Sequence, residues 1–207
     1  IYVYYTYEKD DVLWNKILRI TESNNKLDAA KTIFDKIPGS AYNNGGIMKF
    51  GPDGKLYVGT GYISDSSHGS QDIQSLEGKI LRLNDDGSIP DDNPFSDSPV
   101  FSLGHMNPKG LSWDNEGNLF VAEMGPSKND EINLVQSGGN YGWPEQECSG
   151  DGEFIDPINC YDPAIEPGGI VFYYGDKVKL ENSLVLASLR ASHLFNLEID
   201  EDEVKHQ

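Results

Sequence analysis

The segment FGPDGKLYV at residues 50–58 returns as WDNEGNLFV at 113–121, and KILRI at 16–20 returns as KILRL at 79–83; both pairs are offset by 63 residues. In each nonapeptide a turn dipeptide, Asp53-Gly54 or Glu116-Gly117, stands between an aromatic residue and a short apolar run, which is hairpin chemistry. A fainter copy, LENSLVLASL at 180–189, puts Leu184–Leu186 65 positions after Leu119–Val121, with Asn182 close to the turn position. The unit is thus read about three times.

Repeated units of several antiparallel strands predict an all-β fold, a β-propeller whose blades carry long insertions; a β-sandwich is the alternative, because its local alternation is the same. Helical periodicity is nearly absent, and NNKLDAAKTIF at 24–34 is the one stretch that invites a helix. Three blades do not close a ring, since propellers have about 4 to 8. The chain is therefore expected to be one propeller domain over residues 1–207 that covers only part of the ring, and its opening inside the strand-like IYVYYTY is expected to continue something upstream.

Composition narrows the partners. With 16 Lys and Arg against 34 Asp and Glu, a net charge of −18 repels phosphate backbones and anionic membrane surfaces, which argues against nucleic acid and lipid. Cations and neutral polar molecules suit it better, although solubility alone explains most of such a charge. No run of about 18 apolar residues is present, so no membrane span is expected, and no signal-peptide pattern is read. Cys148 and Cys160 are the two cysteines, twelve residues apart in the Gly/Asp/Pro-rich CSGDGEFIDPINC. A loop-stapling disulfide and an extracytoplasmic setting are the favoured reading; two unrelated buried thiols are the alternative.

Four loop clusters carry candidate chemistry. GSAYNNGG at 39–46 holds Asn43 before two glycines that let the backbone pass close to a ligand. SQDIQSLEGKILRL at 70–83 offers Gln71, Asp72 and Arg82, which serve equally well as turn-capping and surface groups. LGHMNPKG at 103–110 crowds His105, Asn107 and Lys109 around a proline, where a lone His is more often structural. AEMGPSKNDEINLVQSGGNYGWP at 122–144 is the strongest. Glu123, Asp130 and Glu131 with the carbonyls near Gly125-Pro126 make an oxygen-rich patch suited to a hard cation such as calcium, and the alternative is a set of turn and strand-edge residues.

Taken in order, GGIMKFGPDGKLYVGTG, QDIQSLEGKILRLNDDGSIPDDNPF, GHMNPKGLSWD, GPSKNDEINLVQSGGNYGWP and YDPAIEPGGIVFY resemble the glucose/sorbosone dehydrogenase family over nearly the whole chain. The resemblance implies a six-bladed propeller that uses pyrroloquinoline quinone (PQQ) and calcium to oxidise the C1 hydroxyl of an aldose to a lactone. It also implies that the first blade and the last part of the family's ring lie outside this chain. By the same resemblance Asn43 stands where the family has its proton-accepting His, and Met106 where it has an Arg that pairs with the quinone. Asn107 matches a cofactor-contacting Asn. Gly125 and Pro126 match the carbonyls that hold the cofactor's calcium, and Glu131 with the Tyr141 carbonyl match the ligands of a second calcium. A carboxamide does not take up a proton near neutral pH and a thioether makes no bidentate ionic contact. Two functions therefore stay open: a sugar dehydrogenase, or a non-catalytic calcium-stabilised propeller that binds a glycan or protein partner or serves as a structural subunit.

Overall fold

The structure, a computed structural model, describes residues 1–63, 68–178, 180, 182–200 and 203–206. None of them is helical. Strands β1 (Tyr2–Lys9), β2 (Val12–Arg19) and β5 (Lys31–Pro38) form a three-stranded sheet, from which the small hairpin β3 (Glu22–Ser23) and β4 (Lys26–Leu27) projects. Three four-stranded sheets follow in chain order. The second sheet is β6 (Gly45–Phe50), β7 (Leu56–Thr60), β8 (Lys79–Leu83) and β9 (Val100–Leu103). The third is β10 (Pro108–Trp113), β11 (Leu119–Glu123), β12 (Asp130–Val135) and β13 (Asn159–Tyr161), and the fourth is β14 (Pro167–Phe172), β15 (Ser183–Ser188), β16 (His193–Asp200) and β17 (Glu203–His206).

The strands within each sheet pair antiparallel with their chain neighbours, and β6, β10 and β14 touch one another in succession. This is the blade arrangement of a propeller, seen as an arc. The repeats fall at equivalent places: KILRI lies in β2 and KILRL in β8, each followed outward by its sheet's last strand, while the two nonapeptides build the β6–β7 and β10–β11 hairpins. Leu184–Leu186 lies in β15, the equivalent of β7 and β11, and Glu181 of that third copy lies outside the described residues. The structure contains four such sheets rather than three units, because the first sheet carries only the KILRI half of the repeat.

Strand periodicity explains the packing. In β7, Leu56 and Val58 point into a core shared with Ile17 and Ile37 of the first sheet, and Tyr57 between them points into a core with Leu111 and Trp113 of the third. In β11, Leu119 and Val121 join that second core, whereas Phe120 and Ala122 face Phe172, Leu184 and Leu186 of the fourth sheet. Sheets buried on both faces need continuous apolar runs, which is why LYVGT and LFVAE show no polar alternation.

NNKLDAAKTIF is not helical. Asn24 and Asn25 take φ of 54° and 59°, a pair of left-handed residues that closes the β3–β4 hairpin, and Lys31 starts β5. Asparagine tolerates that conformation, so turn chemistry outweighs the short apolar periodicity.

Candidate functional site

The candidate residues gather where loops enter the inner strands β6 and β10. Asn44 builds the first loop: its Oδ1 accepts from Ser40 N (2.9 Å) and Asn15 Nδ2 (3.1 Å), and its Nδ2 donates to Ser40 O (2.7 Å). That leaves Asn43 half-buried with φ 56°, its carbonyl packed so closely on Gly61 that a Cβ there would lie 1.4 Å from the oxygen. Asn107, from the loop before β10, donates Nδ2 to Asn43 Oδ1 (3.2 Å) and accepts from Gly45 N at Oδ1 (3.2 Å). The structure thus joins Asn43 and Asn107, which are 64 residues apart in sequence. Asn43 Nδ2 makes no hydrogen bond among the described residues and remains a donor for a ligand hydroxyl.

Met106 is buried, with its N–H donating to Glu123 Oε2 (2.8 Å) and its carbonyl accepting from Tyr62 N (2.7 Å). With Met124, Trp143, Gly125, Pro126, Glu131 and Glu147 it lines a pocket whose free interior is about 10 Å³, room for one water-sized or ionic occupant. Gly125 sits in a turn so tight that a Cβ would lie 2.1 Å from Lys128 O, and its N–H donates to Asp130 Oδ1 (2.9 Å). The Gly125 and Pro126 carbonyls accept no hydrogen bond among the described residues.

Two carboxylates of the oxygen-rich patch are already committed. Asp130 Oδ2 accepts from Ile165 N and Glu166 N, both at 2.7 Å, so Asp130 ties the β11–β12 turn to the entry of the fourth sheet. Glu123 accepts from His105 Nδ1 (2.8 Å), Asn133 Nδ2 (2.7 Å) and Met106 N. His105 in turn meets Ser102 Oγ through Nε2 (2.8 Å) and stacks on the Tyr141 ring at 4.9 Å, so it is a satisfied structural histidine. Neither Glu123 nor Asp130 is a free cation ligand.

Glu131 differs. Its Oε1 accepts from Cys148 N (2.7 Å) and its Oε2 from Asn133 Nδ2 (3.3 Å), while burial, then the nearby Glu123 charge, push its carboxyl up to about 8. Asn133 Oδ1 behind it is buried without a hydrogen-bond partner. A carboxylate held in that state favours a proton or a cation, and calcium with its demand for oxygen ligands fits. Among the described residues no three His, Cys, Asp or Glu side chains converge, so a cation at Glu131 would draw its remaining ligands from carbonyls and carboxamides. The ring of Tyr141, whose carbonyl is the other expected contributor, stacks on His105, which is joined to Glu131 through Glu123 and Asn133. Because the folded pKa of Glu131 lies above its unfolded value, its contribution to stability is full below about pH 4.5 and is lost as pH rises through about 8. Chelator-treated protein should therefore melt lower at pH 9 than at pH 5, and Glu131→Gln should flatten that slope; an unchanged slope in the variant would remove the assignment.

Cys148 and Cys160 form a disulfide with their Cα atoms 5.7 Å apart. Cys160 lies opposite Glu131 in the β12–β13 pair, so the bridge fixes the loop whose Cys148 N–H caps Glu131. Gln71 exchanges hydrogen bonds with Asn140 (3.1 and 2.7 Å) and donates to Trp143 O (2.7 Å), joining second and third sheets. Arg82 is nearly buried, bidentate to Asp92 (2.8 and 3.0 Å) and also bonded to Asp53, which is the structural role its strand position allowed. Sequence reasoning missed Lys79. Its Nζ is buried in a cage of three carbonyls, and the only signal was a lysine opening an otherwise apolar strand. Among the described residues no helix is long and apolar enough to cross a membrane.

A family profile described as Glucose / Sorbosone dehydrogenase matches residues 1–207. The chain is 37% identical over 144 residues to quinoprotein glucose dehydrogenase B of Acinetobacter calcoaceticus, covering 59% of this chain and 30% of that protein. It is 30% identical over 211 residues to the aldose sugar dehydrogenase YliI of Escherichia coli K12, covering 90% of this chain and 56% of that one. The PQQ-bound aldose sugar dehydrogenase of Streptomyces coelicolor superposes with a TM-score of 0.86 at 38% identity, over the whole of this chain and 60% of the other. The chain therefore spans between about a third and three fifths of these relatives. With four blade-like sheets, their repeats in register and a match from end to end, the chain belongs to the glucose/sorbosone dehydrogenase family.

Proposed function

We propose that this chain supplies the sugar-binding and calcium-holding part of an extracytoplasmic PQQ-dependent aldose dehydrogenase of its family's kind. The observation that carries this reading is the Asn107–Asn43–Gly45 cluster, which leaves a carboxamide donor at the ring's entrance loops. Asn43, held in place by the buried Asn107, would orient a sugar hydroxyl. The open carbonyls of Gly125 and Pro126 would hold the cofactor's calcium and Glu131 with the Tyr141 carbonyl a second one, and Trp143 and Met106 keep the pocket at Gly125 apolar and partly dry. Bound PQQ would supply a hydride acceptor for C1. Asn43 would hydrogen-bond the C1 hydroxyl without taking its proton, which would pass to solvent water as C1 gives up its hydride, and Met106 would offer the quinone no charged partner. The disulfide supports an oxidising, extracytoplasmic compartment.

Those two side chains favour a second reading, a non-catalytic propeller that binds a glycan or protein partner and uses calcium for rigidity. Incubation with PQQ, calcium, an aldose panel and an artificial acceptor separates the two. The first reading expects a quinone absorption band on the purified protein and turnover that rises in Asn43→His with Met106→Arg. Neither band nor turnover in either protein removes it. A calcium-raised melting temperature that disappears in Glu131→Ala supports the calcium site under both readings, and a calcium-indifferent melting temperature counts against it.

A further inference from the structure

Lys109 is a half-buried cation without a hydrogen-bond or ion-pair partner among the described residues, in a chain that carries 34 acidic side chains. Every other observation at this place concerns backbone that is held still. Pro108 pairs with Glu123 and Gly110 with Ala122, so Lys109 is the extra residue of a β-bulge in β10. A bulge leaves its residue out of the ladder and re-aims the side chain, and such devices recur beside functional sites. The flanks fix it: Pro108 packs against Gly59 of the second sheet, and Gly110 lies against the Gly169 and Ile170 backbone of the fourth. Fourth-sheet β14 carries the equivalent bulge at Pro167/Gly169, where the extra residue is Gly168, so the fold itself does not require a lysine there.

Two residues before Lys109 stands Asn107, bonded to Asn43 and Gly45. Solvation is reduced at the amine, and burial holds its pKa below the usual lysine range. Desolvation without a counterion is costly unless a ligand supplies the charge.

We infer that Lys109 is a specificity residue for an anionic sugar: it pairs with the carboxylate of a uronic acid while Asn43, held by Asn107, donates to a hydroxyl. This rests on the reading of the Asn43–Asn107 cluster as a sugar site. A hydrogen bond to a charged group is worth enough to give the acid about a tenfold advantage or more over the neutral sugar.

Calorimetric titration with glucuronate and with glucose tests it on the wild type, Lys109→Gln and Lys109→Arg, at low and at physiological salt. Glucuronate should bind at least about tenfold tighter than glucose to the wild type. The preference should vanish in Lys109→Gln, persist in Lys109→Arg and shrink as salt rises. Equal melting temperatures of the three proteins confirm that folding is unchanged, and if Lys109→Gln melts low, the Lys109→Arg titration alone decides. Glucose binding with no preference for glucuronate overturns the inference and leaves the sugar site standing. Failure of both sugars to bind overturns the two together.

Discussion

Glu123→Ala should lower the unfolding free energy by roughly 3–5 kcal/mol, the range for removing one partner from a buried ionic or hydrogen-bonded network. Glu123 is 3% exposed and His105 fully buried. The three donors that converge on the carboxylate come from different segments: the His105 ring and Met106 N–H from the loop before β10, and the Asn133 carboxamide from β12. Alanine leaves the His105 ring and the Met106 N–H without an acceptor, and Asn133 Nδ2 with only its long bond to Glu131 Oε2 (3.3 Å). Glu123→Gln keeps the shape and one acceptor oxygen, so its loss should be smaller, with an N–H of the new carboxamide facing a donor. Urea unfolding of the three proteins measures both. A loss under about 1 kcal/mol for alanine would mean that water reaches the site and replaces the carboxylate. The same variants carry a second readout, because the Glu123 charge is one cause of the raised Glu131 carboxyl. Removing that charge should bring Glu131 down and weaken the fall in stability toward alkaline pH.

Glu123 also shows where sequence reasoning stops. Its place in AEMGPSKNDE, with Asp130 and Glu131 nearby, reads as a cation patch because density of oxygen is visible in sequence. Commitment of oxygen is not. The donors to Asp130 Oδ2 lie 35 and 36 residues downstream, at Ile165 and Glu166, and those to Glu123 come from two other segments. Glu131 keeps at the pocket a carboxyl that burial and the Glu123 charge push up. The blades were legible for the opposite reason. A hairpin is a local object, and Asp53-Gly54 and Glu116-Gly117 with their apolar runs specify it within nine residues. Asn24-Asn25 is equally local, and its positive φ pair was readable as a turn, but the apolar spacing around it imitates one helical face. The meeting of Asn43 with Asn107 was not legible, since nothing in either loop encodes a contact 64 residues away.

Lys79→Met should cost roughly 2–3 kcal/mol, the upper part of the range for stranding one buried acceptor. Nothing in the strand pattern KILRL demands a lysine, and methionine nearly matches its volume, so the loss isolates the charge and its donors. Lys79 Nζ donates to Glu77 O (2.7 Å), Gly69 O (2.8 Å) and Ser70 O (3.0 Å). Three acceptors around one nitrogen call for an ammonium, while burial pulls the pKa down to about 7 against the raising effect of Glu77 and Asp72. The Glu77 and Asp72 charges oppose the loss of its proton, and the cage supplies three acceptors for the ammonium. In the variant Ser70 O still accepts from Gly104 N (3.0 Å) and Gly69 O keeps a long bond from Asp72 N (3.2 Å), while Glu77 O loses the Lys79 donor. The estimate is held below three full acceptors for that reason. The damage should spread along residues 68–78, where Ser70 Oγ donates to His105 O (3.1 Å) and Gln71 reaches Asn140 and Trp143. Amide exchange should accelerate at Gly104 and His105, whose N–H groups donate to Ser70 O and Gly78 O, while amides of the fourth sheet stay protected. A variant that unfolds like the wild type and exchanges no faster there would show that the cage is redundant with the hairpin it encloses.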